Sequence, residues 1–196
     1  MIKMVNQQVF ESFPLLKTKR LLLRQVQLVD ALEILKMRQN KRVNRFITRN
    51  PMKDEDDARL LVEKTQDAFE SKSGIAWAGI LRDRPEIIGT CGFNKIDYQN
   101  NRAEIGGELT VDFWGKDLAF EAVTAICTFG FTEMNLHAIE AIVLPENRGA
   151  VFLLEKLGFE KEAHFKERIF FNESYSDMAV YTLFRSQFEE KGNAVD

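Results

Sequence analysis

The order of apolar periods along the chain predicts a mixed α/β (α+β) fold, with one mostly antiparallel sheet carrying helices on both faces. Three observations lead there. Short β-rich runs follow one another at residues 75–81, 87–96 and 103–111, separated by Asp83-Arg84-Pro85 and Asp97-Tyr98-Gln99-Asn100-Asn101, which is strong turn chemistry. Behind this meander come a helical period at 118–134 and a near-continuous apolar strand at 139–144, the kind buried on both faces. Two last strands, 160–170 and 176–184, are joined by Asn172-Glu173-Ser174 and close the chain as a hairpin. A meander followed by a strand–helix–strand unit assembles most simply as one sheet covered by helices.

The remaining elements fit around that frame. Residues 21–24 read as a first strand, and 28–35 open a helix with Asp30 as its cap. A second helix spans 54–71, where Ala58, Leu61, Val62, Thr65 and Phe69 recur at helical spacing. Ala119, Ala122, Ile126, Phe129 and Gly130 mark one face of the helix after the meander. A short helix at 149–157 ends at Gly158, well placed for a left-handed C-cap. There is no repeat and no low-complexity tract. One globular unit over 8–188 is expected, with a flexible tail at 189–196.

Composition narrows the function. A chain of 196 residues suits one domain, and 45% hydrophobic residues can fill its core. A net charge of −3 argues against a protein whose affinity rests on neutralising phosphate backbones, so no nucleic-acid partner is expected. The two cysteines, Cys91 and Cys127, lie in apolar stretches without short-spaced Cys or His partners. They read as small core residues, not as a disulfide framework or a metal site. No apolar run has the length of a signal or membrane segment, so a cytoplasmic protein with no membrane partner is expected.

The informative segment is the junction Glu108-Leu109-Thr110-Val111-Asp112-Phe113-Trp114-Gly115-Lys116-Asp117-Leu118-Ala119. A strand enters a Gly-containing turn and then a helix. Such a corner leaves backbone N–H groups unpaired and pointing one way, with the positive end of the helix dipole behind them, which suits a phosphate. Any strand–Gly–helix corner shares this pattern, so taken alone it is a weak signal.

The corner and four other segments together resemble the GNAT superfamily of acetyltransferases, in particular its RimJ/RimL-type branch of ribosomal-protein N-terminal acetyltransferases. The similar segments are Leu16-Lys17-Thr18-Lys19-Arg20-Leu21-Leu22-Leu23-Arg24 with Asp30-Ala31, and Ala103-Glu104-Ile105-Gly106-Gly107-Glu108-Leu109. Further along come Phe113-Trp114-Gly115-Lys116-Asp117-Leu118-Ala119, Leu136-His137-Ala138-Ile139-Glu140-Ala141 with Pro145-Glu146-Asn147, and Glu155-Lys156-Leu157-Gly158-Phe159. The resemblance covers about residues 14–184, in order. It implies a sheet whose fourth and fifth strands, by the family's count, splay apart to admit acetyl-CoA. Its pantetheine arm would pair with the backbone of Leu109, Thr110 and Val111, and its pyrophosphate would sit on the amides of Gly115, Lys116, Asp117, Leu118 and Ala119. Asn147 would face the arm from the far side, and no metal is implied.

Two departures from the family pattern stand out. Asp117 replaces a usual Gly, which restricts the backbone and places a carboxylate near a pyrophosphate, so weaker coenzyme binding is expected. Ala150 and Leu154 stand where the family often has a Ser or Tyr as proton donor to the departing thiolate, leaving water or another group for that task.

Glu104 is the first choice for general base, since an amine must lose a proton before attacking a thioester; Glu108 is the second. Gly106-Gly107 inside a strand suggests a bulge or a close backbone approach. Trp114 is expected to anchor the turn by packing, His137 and His164 to be structural, and Tyr175 and Asp177 to lie near the acceptor end. The basic run 41–49 reads as a solvated linker bordering that end. The expected activity is N-acetyl transfer from acetyl-CoA to a primary amine by direct transfer in a ternary complex, because no cysteine with a base partner is visible for a covalent route. The resemblance points to a protein N-terminal α-amino group as acceptor. A small-molecule amine, or a coenzyme-binding module without turnover, are the alternatives, and a homodimer is left open.

Overall fold

The computed structural model describes residues 4–188, so the expected flexible tail at 189–196 lies outside the described residues. Eight strands form one sheet in the order β1-β2-β3-β4-β5-β6-β8-β7. They are β1 (Leu16–Lys17), β2 (Leu21–Gln25), β3 (Ile75–Leu81), β4 (Ile87–Asp97), β5 (Arg102–Leu109), β6 (Ala138–Val143), β7 (Glu160–Phe171) and β8 (Ser174–Phe184). All neighbours are antiparallel except β5 and β6, which the helical crossover makes parallel. The helices are α1 (Ala31–Gln39), α2 (Lys41–Asn44), α3 (Glu55–Glu70), α4 (Leu118–Thr132) and α5 (Arg148–Leu157).

Two apolar layers explain the burial pattern. On one face α4 packs Leu118, Val123, Ile126 and Phe129 against Trp77, Phe93, Ala103, Ile105 and Tyr181. On the other face, α1 and α3 bring Ile34, Ala58 and Val62 onto Ala78 and Ile87. The expected helices on both faces are therefore present. Residues 16–17 and 41–44 form elements that the periodicity does not reveal, being too short to show a period. The family's fourth and fifth strands are β5 and β6 here.

Local chemistry sets the joints. Gly158 adopts φ 97 and closes α5 as expected, its N–H reaching the carbonyls of Leu154 and Glu155. Asp30 does not act as a side-chain cap for α1. Its buried carboxylate instead receives both guanidinium arms of Arg24 at 2.7 Å and the Gln27 N–H at 2.8 Å, tying β2 to the start of α1.

Candidate active site

The sheet opens where β5 and β6 part. Only three registered pairs join them, Arg102 with Ala138, Ala103 with Ile139 and Glu104 with Glu140. Beyond Glu104, β5 continues to Leu109 held only by β4, and β6 continues to Val143 held only by β8. A wedge results. The Thr110 N–H donates to the Ile88 carbonyl at 2.8 Å and so faces β4. Strand alternation then turns the N–H and C=O of Gly107 and Leu109 towards the wedge. Of the three residues expected to offer backbone there, Leu109 faces the opening, Thr110 is bonded to β4, and Val111 begins a 3-10 turn at Val111–Phe113. Gly107 is the position that the motif missed.

At the mouth of the wedge the chain turns into α4 through two left-handed residues, Gly115 at φ 70 and Asp117 at φ 56. A Cβ at Gly115 would meet nothing within 4 Å, so backbone conformation, not crowding, is what asks for glycine there. The first bond back into the corner runs from the Glu121 N–H to the Asp117 carbonyl at 3.0 Å. Among the described residues, the N–H groups of Gly115, Lys116, Asp117, Leu118, Ala119 and Phe120 have no acceptor. Six free donors over a helix start are chemically suited to an anion.

Other side chains hold this corner. Arg20 donates to the Lys116 carbonyl at 2.8 Å and to Glu121 at 2.7 Å, while Glu121 also takes the Arg20 N–H at 2.6 Å. The Asp117 carboxylate turns sideways to Lys156 of α5 at 2.7 Å, away from the amides. That hydrogen bond and the ammonium charge hold its carboxyl below the usual range. Trp114 does not anchor the turn by burial, being 43% exposed. It does so by hydrogen bonding, from Nε1 to the Leu109 carbonyl at 2.8 Å, with the Arg42 guanidinium 5.3 Å from its ring centre.

Glu104, Gly106 and Glu108 alternate with the core residues Ala103 and Ile105 and so face the α1 side of the sheet. Glu108 is nearly buried, its side chain 4% exposed, and both oxygens are taken: one by Arg38 of α1 at 2.5 Å, the other by Arg49. It is a structural clamp and offers no free oxygen to a substrate proton. Glu104 is half-buried and makes no hydrogen bond or ion pair among the described residues. Its lateral neighbour Glu140 pairs with Arg102 at 2.6 Å.

The glycine pair works by close approach. The bulge between β4 and β5 lies on β4, where Asn94 is the extra residue between Phe93 and Lys95. A Cβ on Gly107 would come within 2.7 Å of the Thr90 carbonyl, and one on Gly106 within 2.3 Å of Asn94 Nδ2.

On the far wall, Asn147 caps α5, its Oδ1 accepting from the Ala150 N–H at 3.2 Å. A cavity of about 620 Å³ opens beside it, lined by Arg45, Phe46, Pro145, Glu146, Arg148 and Gly149. The basic run 41–49 is therefore no free linker. It grips β5 through Arg49 and the corner through Arg42, and it walls this cavity through Arg45.

His137 packs its ring edge on Phe184 at 5.7 Å, and His164 pairs with Asp177 at 2.6 Å. Tyr175 is 63% exposed and packs at a tilt against Phe170, ring centres 4.8 Å apart. Burial pushes the Cys91 thiol up to about 12 and raises Cys127 as well. Among the described residues no His, Cys, Asp and Glu group could hold a metal ion, and no helix is long and apolar enough to cross a membrane.

A wedge between parallel strands beside an amide-lined helix start defines a class, the GNAT fold of acyl-transferring enzymes. The family model "Acetyltransferase (GNAT) domain" matches residues 20–160. The chain belongs to that family and is an acetyl-CoA-dependent N-acetyltransferase. It is 35% identical to N-acetyltransferase p20 of Bacillus licheniformis over 88% of this chain and 97% of that one. Bacillus subtilis YdaF, whose name assigns it provisionally to ribosomal N-acetylation, is 24% identical over 74% of this chain and 78% of its own length. Among solved structures, a GNAT acetyltransferase from Bacillus anthracis superposes with a TM-score of 0.79 at 27% identity, covering 88% of this chain and 99% of that one. Spermidine N-acetyltransferase from Vibrio cholerae, solved with CoA and spermine, gives 0.77 at 25% identity, covering 87% and 98%.

Proposed function

We propose that this enzyme acetylates the α-amino group of a protein N-terminus, by direct transfer within a ternary complex. The amides of residues 115–120 hold the pyrophosphate of the cosubstrate, and the wedge-facing backbone of Gly107 and the Leu109 N–H pair with its pantetheine arm. Bound acetyl-CoA supplies an acetyl group activated as a thioester. Glu104 takes a proton from the amine, directly or through water, being the one unpaired carboxylate on β5. The new N–C bond forms as the C–S bond breaks, and the thiolate takes its proton from water, since Ala150 and Leu154 carry no acid.

The observation favouring an α-amino group over a polyamine is the charge of the cavity wall. Arg45 and Arg148 outnumber Glu146 there, which repels a polycation and tolerates a peptide carrying a single amine. A small cationic amine is the second reading, supported by the likeness to the spermidine enzyme. Turnover of N-terminal peptides and of spermidine, compared at fixed acetyl-CoA, decides between them. A kcat/KM for spermidine above that of every peptide would overturn the α-amino assignment.

A further inference from the structure

We infer that Asn94, the bulge residue of β4, positions the acceptor amine, and that Gly106 is glycine so that the Asn94 amide can lie there; this rests on the transfer reaction proposed above. Asn94 is the extra residue where the β4–β5 register slips, so its side chain is thrown across β5 instead of alternating with its neighbours. The amide comes to rest where a side chain at position 106 would begin, with Nδ2 2.3 Å from the ideal Cβ position. Position 106 shares its strand face with Glu104, two residues away, so the two side-chain roots are about 6.6 Å apart along the strand. A Glu side chain and an Asn amide rooted at that spacing can both reach one nitrogen between them.

Two features show that this amide serves a ligand and not the fold. Asn94 is exposed, and its side chain makes no hydrogen bond among the described residues, although the amide's oxygen and NH2 together offer up to four. Its place on the strand is also chemically specific. β5 loses β6 as a partner beyond Glu104 while keeping β4, so the amide stands beside the closed end of the wedge. An amine approaching there can give one hydrogen to Glu104 and one to Asn94 Oδ1, which aims its lone pair along the line of attack. Asn94 is thus a positioning residue beside the base.

The test uses the whole chain and a double-mutant cycle. Asn94→Ala is expected to lower kcat/KM for the acceptor about tenfold or more while KM for acetyl-CoA and the melting temperature stay close to wild type. Gly106→Ala should reproduce this acceptor defect by displacing the amide. Added to Asn94→Ala, it should cost nothing further, because the clashing group is gone. Full acceptor activity in Asn94→Ala overturns the inference, as does an equal loss towards acetyl-CoA. Additive losses in the double variant overturn the link to Gly106. Wild-type protein that binds acetyl-CoA yet acetylates neither peptides nor free amines removes the proposed reaction itself, and this inference with it.

Discussion

The two walls of the wedge are built from different materials. On the proposed coenzyme side the lining is main-chain amide, presented by a turn of a few consecutive residues from Gly115 to Phe120. On the proposed acceptor side it is side chains brought together from α1, the α2–α3 connection, β4 and β5: Arg38, Arg49, Asn94, Glu104 and Glu108. A backbone receptor tolerates many side chains provided the dihedrals are met, so it accommodates Asp117 in a left-handed conformation. A side-chain receptor depends on each partner, and one carboxylate, Glu108, holds two separate segments in place.

That contrast can be broken at several points. The largest effect is expected from Glu104→Gln, which should lower turnover by about a hundredfold or more with little change in coenzyme affinity. Steady-state rates alongside calorimetric titration of acetyl-CoA check both halves. Glu108→Ala leaves Arg38 and Arg49 facing each other without their shared carboxylate. A loss of about 3 kcal/mol in urea unfolding is expected, together with a raised acceptor KM. Unchanged stability would show that the clamp is ornamental and that the two walls are less different than they look.

Smaller effects probe the coenzyme wall. Trp114→Phe removes the bond to the Leu109 carbonyl and should lower stability by about 1 kcal/mol, read by thermal melting with and without CoA. Asp117→Gly relaxes a left-handed residue and removes a negative charge beside the amides. Acetyl-CoA should then bind about twofold to fivefold tighter, the size of a first-turn charge effect. Weaker binding would mean that the Asp117–Lys156 pair helps shape the receptor. At the bottom of the scale is Cys91. With its thiol near 12, about one molecule in ten thousand is thiolate at pH 8, so iodoacetamide should label it only after unfolding.

The sequence reveals the two walls unequally for the same reason. The corner at 108–119 is local, and its Gly, its strand period and its helix start all fall within a dozen residues. Even there the limits are visible. The apolar period predicts a strand reaching Val111, yet it stops at Leu109, because the Thr110 carbonyl turns inward to accept the Phe113 N–H. The acceptor wall leaves no comparable trace. Residues 41–49 read as a solvated basic stretch, and nothing in the local pattern pairs Arg49 with Glu108, 59 residues away. Gly106-Gly107 does signal a close approach. What approaches Gly106, the Asn94 amide, comes from the neighbouring strand.

Sequence alone therefore determined the longer strands and helices, their order, and the strand–Gly–helix corner at 108–119, since each follows from local period or turn chemistry. Tertiary structure decided the rest. It left Glu104 unpaired and closed both oxygens of Glu108, it turned Asp117 towards Lys156, and it set Asn94 over Gly106. These outcomes depend on which distant side chains meet across the sheet, and the free energy of such a meeting belongs to the pair, not to either residue's place in the chain.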